Sequence, residues 1–158
     1  MLDRILPRQI DNHYRGHKAG LWLFYPITFV NVGISLVAIF RRDGGAQSAD
    51  AIPLDTFPPD AAEAVIGVVA FLGLSGLLMG LLSTLALFRY RAMIPLMYAL
   101  LVVEYLGHKG IGLMKPIVRA GAHPGGFVSL ALISLTVIGL VLSLGGRGYL
   151  PGREPEGA

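Results

Sequence analysis

Long stretches of this sequence carry no charged side chain. The three longest are residues 21–40, 64–88 and 125–146, each of 20 residues or more. A helix rises about 1.5 Å per residue, so roughly 20 apolar residues cross a hydrocarbon core of about 30 Å. The runs therefore predict transmembrane helices and an integral membrane protein.

A fourth candidate span is interrupted by Glu104, His108 and Lys109. With it, the sequence predicts four spans, at about 21–40, 62–88, 92–112 and 125–146. Only Arg89-Tyr90-Arg91 joins the second span to the third, and so short a link forces an antiparallel hairpin. The predicted fold class is all-α integral membrane, a four-transmembrane-helix antiparallel bundle.

Prolines and acids predict where two of the helices begin. Asp60 follows two prolines, and Glu63 lies three residues later, which resembles a capping box at the start of the second helix. Pro95 falls in the first turn of the third helix, where its missing N–H costs little.

Composition agrees with a single membrane domain. The chain has 158 residues, of which 15% are charged, against about 25% in a soluble domain. We predict a basic segment at 1–20, the membrane domain at 21–146 and a disordered Gly- and Pro-rich tail at 147–158. The first segment fits either a short helix lying in the membrane interface or an ordinary basic flank of the first span.

Cysteine is absent, which excludes a thiol–disulfide enzyme and any cysteine-ligated zinc or iron–sulfur site. Only His108 lies within a predicted span, so no haem is expected either. His13 and His17 lack a third ligand, and we interpret them as interfacial polar residues rather than a metal site. Basic residues are scattered over the connections instead of forming one patch, so no nucleic-acid partner is expected.

Basic residues also predict the orientation. Cytoplasmic segments are enriched in Lys and Arg. The two termini and the second connection together carry 8 of the 13 basic residues, namely Arg4, Arg8, Arg15, Lys18, Arg89, Arg91, Arg147 and Arg153. Both termini are therefore predicted to be cytoplasmic, in a multi-pass protein of the inner (plasma) membrane.

Polar residues occur at a similar depth in each predicted span, and they are the candidates for ligand or ion binding. Ionisable groups inside a bilayer are costly and point to function by default. Glu104 and His108 lie one turn apart, and Lys109 is close enough to neutralise one of them. The full candidate set is Glu104, His108, Lys109, Asn31, Ser75, Ser134 and Thr136.

Three interpretations of this set remain open. In the first, Glu104 and His108 bind a cation, a proton or a polar headgroup, while Asn31 and the hydroxyls orient it. In the second, the same groups hold the helices together by hydrogen bonds of about 0.6–2 kcal/mol each. In the third, the third helix sits lower, so that Glu104 approaches the interface and Lys109 reaches water.

Small residues on the second span predict close helix packing. Gly73, Gly76 and Gly80 form a stripe with a small-xxx-small spacing, which lets two backbones approach. Packing within the bundle and packing against a second copy of the chain both satisfy this pattern, and we favour the first.

No nucleophile elbow, P-loop or dinucleotide fingerprint occurs in the sequence. In span count, length and polarity the chain resembles small four-span bacterial inner-membrane proteins, the DoxX-like group among them, and this likeness implies no particular activity. The leading hypothesis is a non-enzymatic binding or assembly component, with the bilayer and a second copy or another membrane protein as partners. The alternatives are a transporter-like or ligand-binding protein centred on Glu104 and His108, and a membrane enzyme acting on a lipid or quinone.

Overall fold

The computed structural model describes residues 5–7, 9–121 and 124–145. They contain four long helices, α1 (Lys18–Phe40), α2 (Pro59–Phe88), α3 (Ile94–Met114) and α4 (Pro124–Leu144), and no β-strand within those ranges. Short 3-10 turns at Leu54–Thr56 and Arg91–Met93 precede α2 and α3. The predicted tail lies outside the described residues. The predicted spans agree with these helices to within about three residues at each end.

Helix starts differ from the sequence prediction at one place. Helix α2 begins at Pro59, Pro58 is its N-cap, and no side chain caps it, so the expected capping box at Asp60 and Glu63 is wrong. Proline at the first helical position has its φ already set for a helix and lacks an N–H that would need a cap. Pro95 does lie in the first turn of α3, as predicted.

Three helices, α1, α2 and α4, are long and apolar enough to cross a membrane. Helix α3 is 21 residues long but falls outside that group, because Glu104, His108 and Lys109 lower its hydropathy. Large apolar side chains cover the outside of the bundle, and Phe29 of α1 is 81% exposed. A surface of this kind marks contact with lipid or another protein. The described chain is therefore an all-helical, multi-pass membrane protein.

Helices α1 and α2 run antiparallel, as their residue pairs show. The α1–α2 pair meets at Ala38 with Gly73 and at Val32 with Gly80. Helix α1 also packs along α4, and α3 packs along α4, whereas α2 and α3 meet less extensively. Two ends can be named: the hairpin end carries the α2–α3 connection (89–93), and the loop end carries the α1–α2 loop (41–58).

A buried core fills the hairpin end. It contains Phe24 and Ile27 of α1 and residues at the start of α3, among them Tyr98 and Leu101. The Phe24 and Tyr98 rings meet edge to face, with centroids 4.8 Å apart, a favourable aromatic arrangement. This cluster closes the bundle at the hairpin end.

The segment before α1 packs against the hairpin end, next to this core. Residues 9–17 form no regular helix, yet the Ala92 amide donates to the Asp11 carbonyl at 3.2 Å, and the His17 amide donates to the Leu142 carbonyl at 3.1 Å. The segment thus ties the start of α3 to the end of α4. Its position in the membrane interface remains a prediction.

The α1–α2 loop folds around Asp43. One carboxylate oxygen of Asp43 accepts from the Gly45 amide at 3.1 Å, and the other accepts from the Ser48 amide at 2.8 Å. Hydrogen bonds from Ser48, by side chain and backbone, lower the pKa of Asp43 to about 2, and Arg41 nearby adds to this. Gly44 and Gly45 supply the positive φ angles of the turn, which side chains disfavour.

Two backbone hydrogen bonds attach this loop to the other side of the bundle. The Gly125 amide at the start of α4 donates to the Ala49 carbonyl at 3.0 Å, and the Ala120 amide donates to the Ala51 carbonyl at 2.9 Å. Within the loop, Ala46, Ile52 and Leu54 form a small buried apolar cluster. The loop is therefore held by these backbone hydrogen bonds and by its own small apolar cluster.

Candidate functional site

Asn31 of α1 connects two helices. Its side-chain nitrogen donates to the Tyr105 hydroxyl of α3 at 3.1 Å. Its carbonyl accepts from the Ser35 hydroxyl, one turn along, at 2.8 Å. Its side-chain oxygen is buried and has no partner among the described residues. Asn31 is 7% exposed, so this amide is a polar link across the interior.

Glu104 directly precedes Tyr105 in α3 and therefore lies next to the Asn31–Tyr105 hydrogen bond. The residue is half-buried, and its Oε2 atom is buried with no hydrogen-bond partner among the described residues. It is 10 residues from Ile94, or about 15 Å along a helix of about 31 Å. A buried acceptor without a partner is costly, so Glu104 is the most unusual polar group of the interior.

The hydroxyl candidates do not join this group. Ser75 and Ser134 are exposed, and each donates to a carbonyl of its own helix four residues earlier, on Phe71 and Leu130. Thr136 is fully buried and likewise donates to the Leu132 carbonyl of its own helix. Such local bonds satisfy a hydroxyl in an apolar setting without a second helix. The structure therefore places only Asn31 close to α3 by a direct side-chain bond.

His108 and Lys109 lie closer than Glu104 to the C-terminal end of α3, and they line a cavity at the loop end. This cavity, the loop-end cavity, has a volume of about 320 Å³. Four parts of the chain line it: α3, α4 and the two connections at this end. The lining residues are Asp50, His108, Lys109, Gly112, Leu113, Arg119, Gly125, Gly126 and Ser129.

The cavity occupies the space between the inward faces of α3 and α4. His108 continues the α3 face that carries Tyr98, Leu101 and Tyr105, and Ser129 continues the α4 face that carries buried Leu132. Both faces are filled with side chains at the hairpin end and separated at the loop end. His108 is consequently exposed although its face points inward.

Lys109 forms no ion pair with Glu104 in the described part of the chain, where the two salt bridges found are Arg15–Asp11 and Arg41–Asp43. The sequence predicted that Lys109 is close enough to neutralise Glu104 or His108, and no such pairing with Glu104 is observed there. Lys109 points instead into the loop-end cavity, which it shares with Arg119. One turn of α3 separates this cavity from Glu104.

The glycine stripe of α2 lies against α1. A Cβ atom on Gly73 would lie 2.7 Å from the Ala38 Cβ, one on Gly76 would lie 2.8 Å from the Ser35 hydroxyl, and one on Gly80 would lie 2.6 Å from the Val32 Cγ2. Contacts this short leave no room for a side chain. The stripe therefore positions α1, and with it Asn31, close to the α2 backbone.

Tyr98 is a structural residue that the sequence did not single out. Its ring lies over Gly139 of α4, where a Cβ would overlap the ring, and its hydroxyl donates to the Gly20 carbonyl of α1 at 2.7 Å. One signal was present: Gly16 and Gly20 before and within α1, and Gly139 and Ser143 in α4, are each spaced by four residues. This spacing indicates a second close helix pair.

His17 also has a structural role that the sequence analysis did not assign. Its Nδ1 atom accepts from the Ala19 amide at 3.2 Å, which makes it the N-cap of α1. Among the described residues, no group of three or more His, Asp or Glu side chains is placed to hold a metal ion.

Comparisons with protein-family models, with curated proteins and with solved structures find no match to this chain.

Proposed function

We propose that this chain is a four-span protein of the inner (plasma) membrane that acts as a non-enzymatic binding component, with the loop-end cavity as its binding site. Support for the fourth span comes from α3, whose middle exposes apolar side chains outward: Val103 is 69% exposed and Leu106 is 51% exposed. Lipid accommodates such residues, whereas water does not.

The observation that carries the binding role is the shape of the bundle. One end is sealed by the Phe24–Tyr98 core, and the other end opens into a cavity with polar and charged walls. Concave sites with a few convergent polar groups are where proteins hold small ligands. A protein with a purely structural role gains nothing from leaving two inward faces apart.

Native mass spectrometry of the detergent-purified protein tests this role. Ser129→Phe places a ring inside the cavity, and Ser134→Phe places the same ring on the exposed side of the same helix. We expect the wild type and Ser134→Phe to retain a bound small molecule and Ser129→Phe to lose it. Equal retention by all three proteins would exclude the cavity as the binding site.

A second candidate function has its own observation. The Oε2 atom of Glu104, unpartnered among the described residues and one turn from His108, suits a site for a proton or a small cation. Hard cations prefer oxygen ligands, and the Asn31 side-chain oxygen is also unpartnered among the described residues.

Titration calorimetry with Na⁺, K⁺ and Mg²⁺ tests this candidate on the purified protein. Glu104→Gln removes the charge but keeps the shape, and it should abolish cation binding. Glu63→Gln, at the exposed start of α2, removes one acid elsewhere and should leave binding unchanged. If the wild type takes up no cation, or if Glu104→Gln binds equally well, Glu104 is only a structural group.

A further inference from the structure

The loop-end cavity carries more positive than negative charge. Two permanently charged cations, Lys109 and Arg119, line it, against the single carboxylate of Asp50 among the described lining residues. Within the ranges 5–7, 9–121 and 124–145, neither Lys109 nor Arg119 forms an ion pair. Asp50, the one acid among the described lining residues, belongs to the α1–α2 loop, and its Oδ1 atom lies against the start of α4, 2.5 Å from where a Cβ on Gly125 would be. Two permanent cations without an ion-pair partner among the described residues thus line one cavity of about 320 Å³.

The helix that forms one wall strengthens this preference. Gly125 and Gly126 belong to the first turn of α4, a helix of 21 residues, and both line the cavity. Backbone dipoles give the N-terminus of a helix a partial positive charge that attracts anions. Asp50 offsets part of this charge, and one positive charge of Lys109 and Arg119 remains in excess.

The depth of the cavity indicates a lipid rather than a soluble anion. Lys109 is 15 residues from Ile94, or about 22 Å along α3. In a bilayer with a hydrocarbon core of about 30 Å, the end of a helix this long lies near the headgroups. Phospholipid phosphates occupy the level of the helix end, beyond which Arg119 lies and toward which the long Lys109 side chain extends from about 9 Å away.

Apolar residues flank the cavity and offer a path for acyl chains. Leu113 of α3 is 84% exposed, and Phe127 of α4 is 73% exposed. They lie beside the cavity on its two helical walls, next to Gly112 and Gly126. A molecule with an anionic head and a hydrocarbon tail matches the charged lining of the cavity and the apolar residues beside it.

We propose that the loop-end cavity binds the phosphate group of an anionic phospholipid, with Lys109 and Arg119 contacting the phosphate oxygens. This inference rests on the proposed binding role and names its ligand. Arg holds phosphate through two parallel N–H donors, and Lys supplies a compact point charge. A net negative lipid balances the excess positive charge, which a zwitterionic lipid does not.

Lipid retention from an equal mixture of phosphatidylglycerol and phosphatidylcholine tests the inference. The full-length protein is purified from mixed micelles, and its bound lipids are identified by native mass spectrometry. We expect the wild type to be enriched in phosphatidylglycerol. The double variant Lys109→Gln/Arg119→Gln should bind this lipid about tenfold or more weakly, since each charge-assisted contact is substantial.

The control is Arg42→Gln/Lys115→Gln, which removes two exposed basic residues at the same end of the molecule that do not line the cavity. It should keep the wild-type preference, and the melting temperatures should show that both double variants remain folded. Equal enrichment in all three proteins overturns the inference.

A competition experiment separates the lipid from a free anion. Soluble glycerol phosphate should not displace phosphatidylglycerol at concentrations equal to that of the lipid. Displacement at that concentration would overturn the lipid assignment. Loss of ligand in Ser129→Phe but not in Lys109→Gln/Arg119→Gln would reject the phosphate inference while leaving the proposed binding role intact.

Discussion

At the scale of single residues, Tyr98 shows how one side chain fastens three helices. Tyr98 belongs to α3, its ring packs on Gly139 of α4, and its hydroxyl donates a hydrogen bond to the Gly20 carbonyl of α1. Glycine is required at position 139 because the ring lies where a Cβ would be, whereas the bond at Gly20 uses only the backbone carbonyl. Tyrosine in a predicted span does not by itself indicate such a role, because tyrosine is also common at the membrane interface.

Tyr98→Phe should therefore lower the free energy of unfolding by about 1 kcal/mol, the usual value for one buried hydrogen bond. The measurement is equilibrium unfolding in mixed micelles of detergent and denaturant. Tyr25→Phe is the control, since Tyr25 has a ring contact with Trp22 but no hydroxyl bond among the described residues. A similar loss in both variants would argue against the bond to Gly20.

Asp43 gives a residue-scale prediction about pH. Its pKa of about 2 in the folded loop lies below the ordinary value of 3.8. A lowered folded pKa means that the contribution of Asp43 to stability is complete above about pH 4 and declines as the pH falls toward and below 2.

Hydrogen exchange of the Gly45 and Ser48 amides, expressed as protection factors, should accordingly show less protection at pH 2 than at pH 5. Asp43→Asn should lose protection at both pH values. Asp55→Asn serves as the control, because Asp55 accepts only from the exposed Gln47 side chain, at 3.3 Å. Protection that does not depend on pH in the wild type would contradict this role.

At the scale of helices, the α1–α2 contact depends on glycine. Gly73, Gly76 and Gly80 all face α1, and each leaves too little space for a Cβ. The spacing in the sequence indicated that some helix would approach here. Which helix it would be depended on the way the chain packs, since a second copy of the protein satisfies the same stripe.

Gly80→Ala should lower the free energy of unfolding by about 1–3 kcal/mol, because overpacking forces the helices apart. Gly67→Ala lies on the same helix, where no described atom comes within 4 Å of the added Cβ. It should be neutral or stabilise by up to about 1 kcal/mol, since alanine favours helix. Comparable effects at the two sites would remove glycine packing as the cause.

At the scale of the whole molecule, the open question is how many helices cross the bilayer and which way they face. Three helices meet the length and hydropathy expected of a span, and α3 carries the charged residues that separate it from them. The absence of cysteine from the sequence allows a direct experiment, since one introduced thiol labels one position.

The labelled variants are His13→Cys, Gln47→Cys and Lys115→Cys, all at exposed positions. If α3 crosses the membrane and the termini are cytoplasmic, a membrane-impermeant maleimide should label Gln47→Cys and Lys115→Cys in intact cells. His13→Cys should react only after lysis. Labelling of Gln47→Cys without Lys115→Cys would mean that α3 does not cross, and labelling of His13→Cys alone would reverse the orientation.

Helix number, class and approximate bounds followed from the sequence alone, because long uncharged runs have one low-energy solution in a bilayer, in which each helix satisfies its own backbone. The interior could not be read in the same way. In the sequence, Ser75 and Ser134 resemble Thr136, because each is a hydroxyl residue within an apolar run. In the structure Thr136 is buried, whereas Ser75 and Ser134 face outward. A helix that is apolar on every face has no periodicity from which this difference could be predicted. Only the tertiary structure, through the glycine contacts and the Tyr98 crossing, decided which faces meet. That packing left His108, Lys109 and Arg119 around one cavity, one helical turn from Glu104. The cavity exists because α3 and α4 leave space between them at the loop end, whereas buried side chains fill the hairpin end.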